Sequence, residues 1–233
     1  MNSRALSSAL AAAALLVLVC AACVSAAAPV PSSLPASAAG FYPSVALVAT
    51  EFGAVGDNST LNTLALQKAI EAAAATPGGA IVILPGPAVY RTGTLYLRSN
   101  VYLYFEAGAF LQATANSDDY DADWDKWDVV RGEGAVNTGL LGSALDSDSA
   151  ARGGVVGPMW NMIASYDAAQ DQLVPVMWQG VRGCRGECRP RGVAFVDCVN
   201  VTVASVAIRD SAGVCFHLYA PFCLHNHSSH WIC

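Results

Sequence analysis

The sequence contains no run of lysine or arginine residues, and its acidic residues outnumber its basic ones by 18 to 12. Proteins that bind nucleic acids or anionic membranes do so through clusters of basic side chains. We therefore expect no nucleic-acid partner. A neutral ligand, or an anionic one held in a locally basic pocket, is compatible with this composition.

The sequence also lacks an apolar run of the roughly 20 residues that a membrane span needs. A continuous apolar run, Leu10 to Val19, follows Arg4 and precedes the small residues Ser25-Ala26-Ala27. This order is typical of a secretory signal peptide. We expect residues 1–28 to be that signal, which predicts a secreted protein of the extracellular space or cell wall, with no membrane association after cleavage. A retained anchor and a lipid-modified cysteine are the alternatives.

After the predicted signal, residues 29–40 form a Pro/Ser/Ala-rich linker without periodicity, and we expect one folded unit over residues 41–233. Six cysteines remain in this mature chain, all of them in its last fifty residues: Cys184, Cys188, Cys198, Cys215, Cys223 and Cys233. In a secreted protein this crowding favours local disulfides, and the spacing does not choose among the possible pairings. Cys184 and Cys188 are the first candidate pair.

Three short sequons would accept N-linked glycans if a eukaryotic cell secretes the protein. They begin at Asn58, Asn200 and Asn226. Because this three-residue pattern is common by chance, each is a weak signal.

One amphipathic helix is predicted from about Asn62 to Thr76. Its narrow apolar stripe contains Leu66, Ala69, Ile70 and Ala73, and Pro77-Gly78-Gly79 ends it. Asn62 or Thr63 can accept the first free backbone N–H groups.

Short β-branched and aromatic segments follow the helix and return near the end of the chain, where Val193-Ala194-Phe195 is echoed 21 residues later by Val214-Cys215-Phe216. Strands of this length at a recurring spacing are typical of a parallel β-solenoid. The helix would then cover the open end of the first coil. Between these regions, residues 116–190 are polar and rich in small residues, which predicts long surface loops with one strand at Gly154 to Val156.

Three segments resemble, in order, the N-terminal half of glycoside hydrolase family 28, the polygalacturonase family. They are "FGAVGDNSTLNTLALQKAIEAA", "GGAIVILPGPAVYRTGTLYLRSNVYLYFEAGAFLQATANSDDY" and "RPRGVAFVDCVNVTVASVAIRDSAGVCFHLY". The resemblance covers about residues 50–120 and 189–219. It implies an all-β, right-handed parallel β-helix with a capping α-helix, and secreted inverting hydrolysis of the α-1,4 galacturonosyl bonds of pectin. It also implies an acidic polysaccharide partner, no cofactor, and a monomer at full length.

The family's catalytic and substrate-binding motifs are Asn-Thr-Asp, Asp-Asp, Gly-His-Gly and Arg-x-Lys, and all four follow the segment that matches "FHLY". None of them follows that segment in this chain, so the resemblance implies a truncated, inactive N-terminal part with no catalytic residue. Asp118-Asp119 is an adjacent acidic pair, but it precedes Tyr120 in an acidic loop, so it is not assigned the role of the family's Asp-Asp motif. Asn137-Thr138 continues with Gly139 and therefore lacks the aspartate of the Asn-Thr-Asp motif. His217 is expected to be a hydrogen-bonded structural histidine. The alternative function is a noncatalytic polysaccharide-binding protein or pseudoenzyme.

Two further parts of the sequence contain residue types that could form binding sites. Arginines at 182, 185, 189 and 191 could form a basic groove for such a polysaccharide, although a solvated loop near a disulfide is favoured. The tail "CLHNHSSHWIC" contains three histidines and two cysteines that could bind a metal. Because this tail breaks the surrounding pattern, an altered reading frame is favoured over a metal site, and no metal ligand is assigned.

Overall fold

A computed structural model describes residue 29 and residues 42–123, 126–143, 153–157, 164–167, 172–175, 190–211, 216–219, 224–227 and 230–231. In this part of the chain the polypeptide winds through successive coils of short strands. The first three coils contain β1 (Ala46–Val48), β2 (Asp57–Leu61), helix α1 (Thr63–Ala75), β3 (Ala80–Leu84), β4 (Ala88–Thr92), β5 (Leu95–Leu97), β6 (Val101–Phe105), β7 (Ala109–Ala113) and β8 (Asp128–Glu133).

The later coils contain β9 (Val136–Gly142), β10 (Gly154–Val156), β11 (Ala164–Asp167), β12 (Gln172–Pro175), β13 (Arg191–Val196), β14 (Val199–Ala204), β15 (Ala207–Arg209), β16 (Phe216–Tyr219), β17 (Leu224–His227) and β18 (His230–Trp231). Strands β11 and β12 form an antiparallel hairpin outside the coils. Two 3-10 turns, Ala49–Phe52 and Ser117–Asp119, complete the described elements.

The coils stack into a right-handed parallel β-helix with three parallel sheets. Sheet A has the order β1-β3-β6-β9-β14-β17, sheet B joins β2-β4-β7-β10-β15-β18, and sheet C joins β5-β8-β13-β16. The inward side chains of the three sheets form one continuous apolar core. The predicted fold class is therefore confirmed, as is the strand at Gly154–Val156. No helix in the described ranges is long and apolar enough to cross a membrane.

Helix α1 lies over the first coils and buries the predicted stripe of Leu66, Ala69, Ile70 and Ala73 in that core. The predicted capping role of Asn62 and Thr63 is wrong, because the side chain of Asn62 makes no bond to the helix N-terminus. It instead accepts from the backbone N–H of Val55 (2.7 Å) and donates to the Val55 carbonyl (2.9 Å). The Thr63 hydroxyl accepts from the backbone N–H of Gly93 (2.8 Å). Both side chains bond to neighbouring segments because the helix start is packed among them.

Sheet C begins at β5, and helix α1 takes the place of a preceding strand there. The side-chain amide of Gln67 donates to the carbonyl of Tyr96 (3.0 Å) and accepts from the N–H of Tyr96 (2.9 Å). These two bonds reproduce what a neighbouring strand would offer. The edge of sheet C is thereby satisfied at its first strand.

Replacement of Gln67 with methionine keeps the length of the side chain but leaves the Tyr96 peptide groups without these partners. We expect it to lower the free energy of unfolding by about 1–3 kcal/mol, the cost of unsatisfied buried polar groups. Urea denaturation followed by circular dichroism would measure the change. Lys68→Met is the matched surface control, and an equally small effect of both variants would contradict a capping role for Gln67.

The prediction of surface loops over residues 116–190 is wrong for residues 128–142. Strand β8 and strand β9 lie there and are fully integrated into sheets C and A. Strand β8 contains the charged residues Asp128 and Arg131. In the structure these side chains are buried because they bond to each other.

Three asparagines stack at the bend between sheets C and A. Asn100, Asn137 and Asn200 all have positive φ angles, between 55° and 60°. The amide of Asn200 donates to Asn137 (2.6 Å), and the amide of Asn137 donates to Asn100 (3.0 Å). Asparagine tolerates this left-handed conformation better than most residues. This asparagine ladder turns the chain at the same corner in three successive coils.

Candidate functional site

Sheet B presents a polar face on its outer side. The inner row of this sheet consists of buried residues that belong to the core: Tyr90, Leu111, Val155 and Ile208. Because side chains alternate along a strand, the residues that follow them point outward. Strand register aligns these outer residues as Arg91, Gln112, Val156 and Arg209. Two arginines thus lie in one row that runs parallel to the axis of the β-helix.

A second outer row lies beside the first and contains Val89, Phe110, Gly154 and Ala207 in register. The guanidinium carbon of Arg209 lies 4.6 Å from the centre of the Phe110 ring. Gly154 lies in β10, between the strands that carry Phe110 and Arg209. A Cβ atom there would overlap the carbonyl oxygen of Ala207. The glycine therefore allows the close backbone approach over which arginine and ring meet.

The two arginines of this face share an unusual feature at the nitrogen nearest the side-chain stem. Nε of Arg91 and Nε of Arg209 are buried and have no hydrogen-bond acceptor among the described residues. Gln112, between them, donates to the carbonyl oxygen of Gly157 (3.1 Å) and is held in place. Since arginine binds carboxylates through a planar fork of N–H donors, this face is suited to an anionic ligand. We call Arg91, Phe110, Gln112 and Arg209 the sheet B face.

The sheet B face carries no carboxylate in its two outer rows over β4, β7, β10 and β15. Inverting glycoside hydrolysis needs two carboxyl groups on opposite sides of the scissile bond, roughly 6.5 to 9.5 Å apart. These rows can therefore hold a ligand but cannot supply that acid and base.

A second polar cluster lies on sheet C and is neutralised internally. The buried carboxylate of Asp128 accepts from Nη1 of Arg131 (2.8 Å) and from Nε of Arg191 (2.7 Å). Burial alone would lower the pKa of Arg131, but bonds to Asp128 and to Glu133 outweigh it and raise that pKa. The favoured interpretation of Arg191 as part of a solvated loop is wrong, because its strand pairs with β8. Arginines 182, 185 and 189 lie outside the described residues.

The adjacent acidic residues Asp118 and Asp119 lie in a structured turn. The backbone N–H of Asp118 donates to the Asn116 side chain, and Asp119 accepts from the Thr114 hydroxyl (2.7 Å) within the turn that follows β7. Asp121 accepts a hydrogen bond from the Tyr96 hydroxyl, which lowers the pKa of its carboxyl group. The carboxylates of Asp119 and Asp121 thus hold the loop between β7 and β8.

The remaining candidates are spread over the fold. Asn58 is exposed at the start of β2, whereas Asn200 belongs to the asparagine ladder. Asn226 lies in β17, and His217 lies in β16 beside Ala194. Cys184 and Cys188 fall outside the described residues.

Cys198 is buried and forms no disulfide within the described part of the chain. Its neighbourhood is apolar core rather than a site. Over the same part, no group of three His, Cys, Asp or Glu residues is arranged to hold a metal ion. His225 and His227 lie in β17 and His230 lies in β18, so these tail residues continue sheets A and B.

Sequence patterns did not identify the sheet B face. Arg91 and Arg209 are far apart in the chain, and only strand register brings them into one row. The signal that could have found them is an arginine at the last or next-to-last position of two short alternating strands, "AVYRT" and "AIR". That signal becomes useful only when both strands are placed in the same sheet.

Comparison with known proteins gives one curated relative and several solved structures. The chain is 31% identical over 167 residues to an exo-poly-alpha-D-galacturonosidase from Dickeya chrysanthemi, a match that covers 67% of this chain and 26% of that protein. The chain thus spans about a quarter of the length of this relative. No protein-family model matches it.

Two solved structures share the fold. A provisionally assigned glycosyl hydrolase from Parabacteroides merdae aligns with a TM-score of 0.57 and 22% identity over 74% of this chain and 69% of that one. A hyperthermoactive exopolygalacturonase from Thermotoga maritima aligns with a TM-score of 0.53 and 21% identity over 76% of this chain and 44% of that one. Both show the same β-helical architecture.

Proposed function

The chain belongs to a polygalacturonase-like family of parallel β-helix proteins, and from this premise we propose that it supplies the polysaccharide-holding coils of a secreted pectin-degrading glycoside hydrolase. The observation that carries the proposal is the 31% identity to an exo-poly-alpha-D-galacturonosidase over two thirds of this chain. The sheet B face supports it, because arginines in one row suit an acidic polymer. The substrate class is therefore pectin with free carboxylates.

The proposed reaction is inverting hydrolysis of α-1,4 galacturonosyl bonds. One carboxylic acid would protonate the leaving oxygen while a carboxylate on the other face would activate water. We assign neither role to a residue of this chain, since the outer rows of β4, β7, β10 and β15 carry no carboxylate and β2 adds only Asp57, in register with Val89. The acid and base are proposed to come from coils that would follow β16, β17 and β18 in the whole protein.

The proposal separates binding from cleavage, which gives an experimental prediction. The purified chain is expected to be retained on polygalacturonate at low ionic strength, to elute as salt is added, and to release no reducing ends. Retention on immobilised polygalacturonate and a reducing-sugar assay measure the two properties. Cellulose, a neutral polysaccharide, is the control matrix.

Each part of this experiment can fail separately. No retention at low salt would overturn the proposed substrate. Release of reducing ends would overturn the assignment of chemistry to other coils. A transcript that encodes Asn-Thr-Asp, Asp-Asp, Gly-His-Gly and Arg-x-Lys in order after Cys233 would support the hydrolase over the alternative, a noncatalytic binding protein of the same fold.

Secretion is part of the proposal and rests on residues 1–28. The mature chain would begin close to Pro29 and carry a glycan at Asn58, whose side chain is exposed. Asn200 is a poorer acceptor because its amide nitrogen donates within the asparagine ladder. Mass spectrometry of the protein secreted by a eukaryotic host would identify both the first residue and the modified asparagine.

A further inference from the structure

The outer face of sheet A is apolar and buried. The inward residues of its strands belong to the core, so the residues between them point outward. Strand register places Ile81, Tyr102 and Thr202 in one outer row, and Ile83, Tyr104 and Leu141 in a second row beside it. All six of these side chains are buried. The outer face of a solenoid is buried only where another part of the molecule covers it.

Tyr42 shows which part of the chain reaches this face. Within the described residues, it is the hydrophobic side chain that packs on the outer rows from outside the sheet. Its ring meets the ring of Tyr102 edge to face, with 5.0 Å between the ring centres. Aromatic pairs in this arrangement are favourable beyond the apolar area that they bury. The segment that contains Tyr42 therefore lies against sheet A.

The contact extends to a later coil through Thr202. Burial raises the pKa of the Tyr42 and Tyr102 hydroxyl groups, that of Tyr102 to about 12, and a hydrogen bond of each with the Thr202 side chain opposes this shift. Gly139 lies between Tyr102 and Thr202 in the row and carries no side chain. Tyr42 thus contacts both β6 and β14.

The position of Tyr42 also shows how the chain runs before β1. Residues 43–45 separate it from β1, the first strand of sheet A, whereas β6 and β14 are the third and fifth strands. Because neighbouring strands are about 4.8 Å apart, β6 lies about 10 Å from β1. The intervening residues cover that distance only when they are nearly extended. The chain upstream of β1 therefore crosses the strands of sheet A towards the later coils.

The residues that precede Tyr42 suit the remainder of this face. Residues 30–41 contain no charged side chain, and Leu34 and Phe41 are apolar. This segment spans up to about 40 Å when extended, whereas β6 and β17 are three strand spacings apart, about 14 Å. Pro31 and Pro35 lack a backbone N–H group, so the segment has fewer donors that need partners when it is buried.

We propose that residues 30–41 form an N-terminal strap, which lies along the outer face of sheet A and covers its two apolar rows, with Tyr42 as its anchor. The strap connects the start of the chain to coils that are synthesised much later, so it docks only after β14 has joined sheet A. It also closes this face to polysaccharide and to other chains. Docking of the strap does not depend on whether the chain binds pectin.

Photo-cross-linking of the full mature chain tests the strap. The photoreactive residue p-benzoylphenylalanine replaces Ala38 in one variant and Leu34 in a second variant. After irradiation of a mixture of isotopically labelled and unlabelled protein, mass spectrometry distinguishes cross-links within one molecule from those between two molecules. We expect cross-links within one molecule to peptides that contain β6, β9 or β14.

Leu64 is the matched control position, because its side chain is 87% exposed on α1. The same photoreactive residue at this position should give no cross-link to β9 or β14. Adding Tyr42→Ala to the Ala38 variant should lower the yield of the expected cross-links several-fold, because it removes the anchor. Adding Leu64→Ala instead should leave the yield unchanged. Circular dichroism identifies any variant that does not fold.

Each outcome decides for or against the strap. If the cross-links to sheet A join two molecules, a second copy covers the face and the proposal is wrong. The proposal is also wrong if neither Ala38 nor Leu34 gives cross-links to sheet A within the molecule. If the yield is the same with and without Tyr42→Ala, the role of Tyr42 as the anchor is wrong.

Discussion

Replacement of Asp128 by alanine is expected to lower the free energy of unfolding by about 3–5 kcal/mol, the usual cost of removing one partner from a buried ion pair. The Asp128 carboxylate has no exposed surface, and the side chains of Arg131 and Arg191 are only 7% and 13% exposed. Both guanidinium groups would lose their strongest acceptor while they remain largely out of water. Because Arg191 belongs to the next coil, the change also removes a link between β8 and β13.

Guanidinium chloride is a poor denaturant for this measurement because its ions screen charge, so urea unfolding followed by circular dichroism is preferred. Glu133→Ala is the matched control, since Glu133 bonds to the same Arg131 (3.3 Å) with a side chain that is 48% exposed. Exposed pairs contribute about 0–1 kcal/mol. If the two variants lower the free energy of unfolding equally, burial of the Asp128 ion pairs does not determine their contribution to stability.

Replacement of Phe195 by alanine is expected to lower the free energy of unfolding by a similar amount, about 3–5 kcal/mol, because it opens a cavity in the core. Phe195 is fully buried in β13, and its ring lies 6.0 Å from that of Phe216 in the next coil. Beneath it, in β8, a Cβ atom on Gly132 would lie 2.6 Å from a ring carbon of Phe195. The glycine is thus the space into which the ring fits.

This fit can be measured by a double-mutant cycle. Gly132→Ala alone should cost about 1–3 kcal/mol through overpacking against the ring. In the Phe195→Ala background the same methyl group enters a cavity, so its cost should vanish or change sign. Urea unfolding of the four proteins provides the coupling energy. Additive effects would show that ring and glycine do not compete for the same space.

The sequence predicted the architecture well where apolar periodicity was strong. Helix α1 and the strands around Val193 and Val201 follow their patterns closely, because each buries one regular face. Strand β8 was missed because the charges of Asp128 and Arg131 resemble a solvated segment. Only the structure shows that Arg191, from a distant part of the chain, completes their neutralisation.

The candidate site was beyond the reach of sequence patterns for a related reason. Arg91 and Arg209 are ordinary residues in their own strands, and their common row arises from the stacking of coils. The role of Asn62 was mispredicted because a local capping rule competed with a contact to Val55 across a turn. The sequence thus predicted which residues lie in regular elements more reliably than it predicted the distant residues that these side chains contact.

The pairing of Gln67 with Tyr96 gives the solenoid a direction of growth. The first edge of sheet C is closed as soon as α1 and β5 have been synthesised, since one side chain of the helix replaces the missing strand. Each later coil can then use the coil before it as a template while the rest of the chain is still being made. The same contact prevents another chain from pairing with the first strand of sheet C.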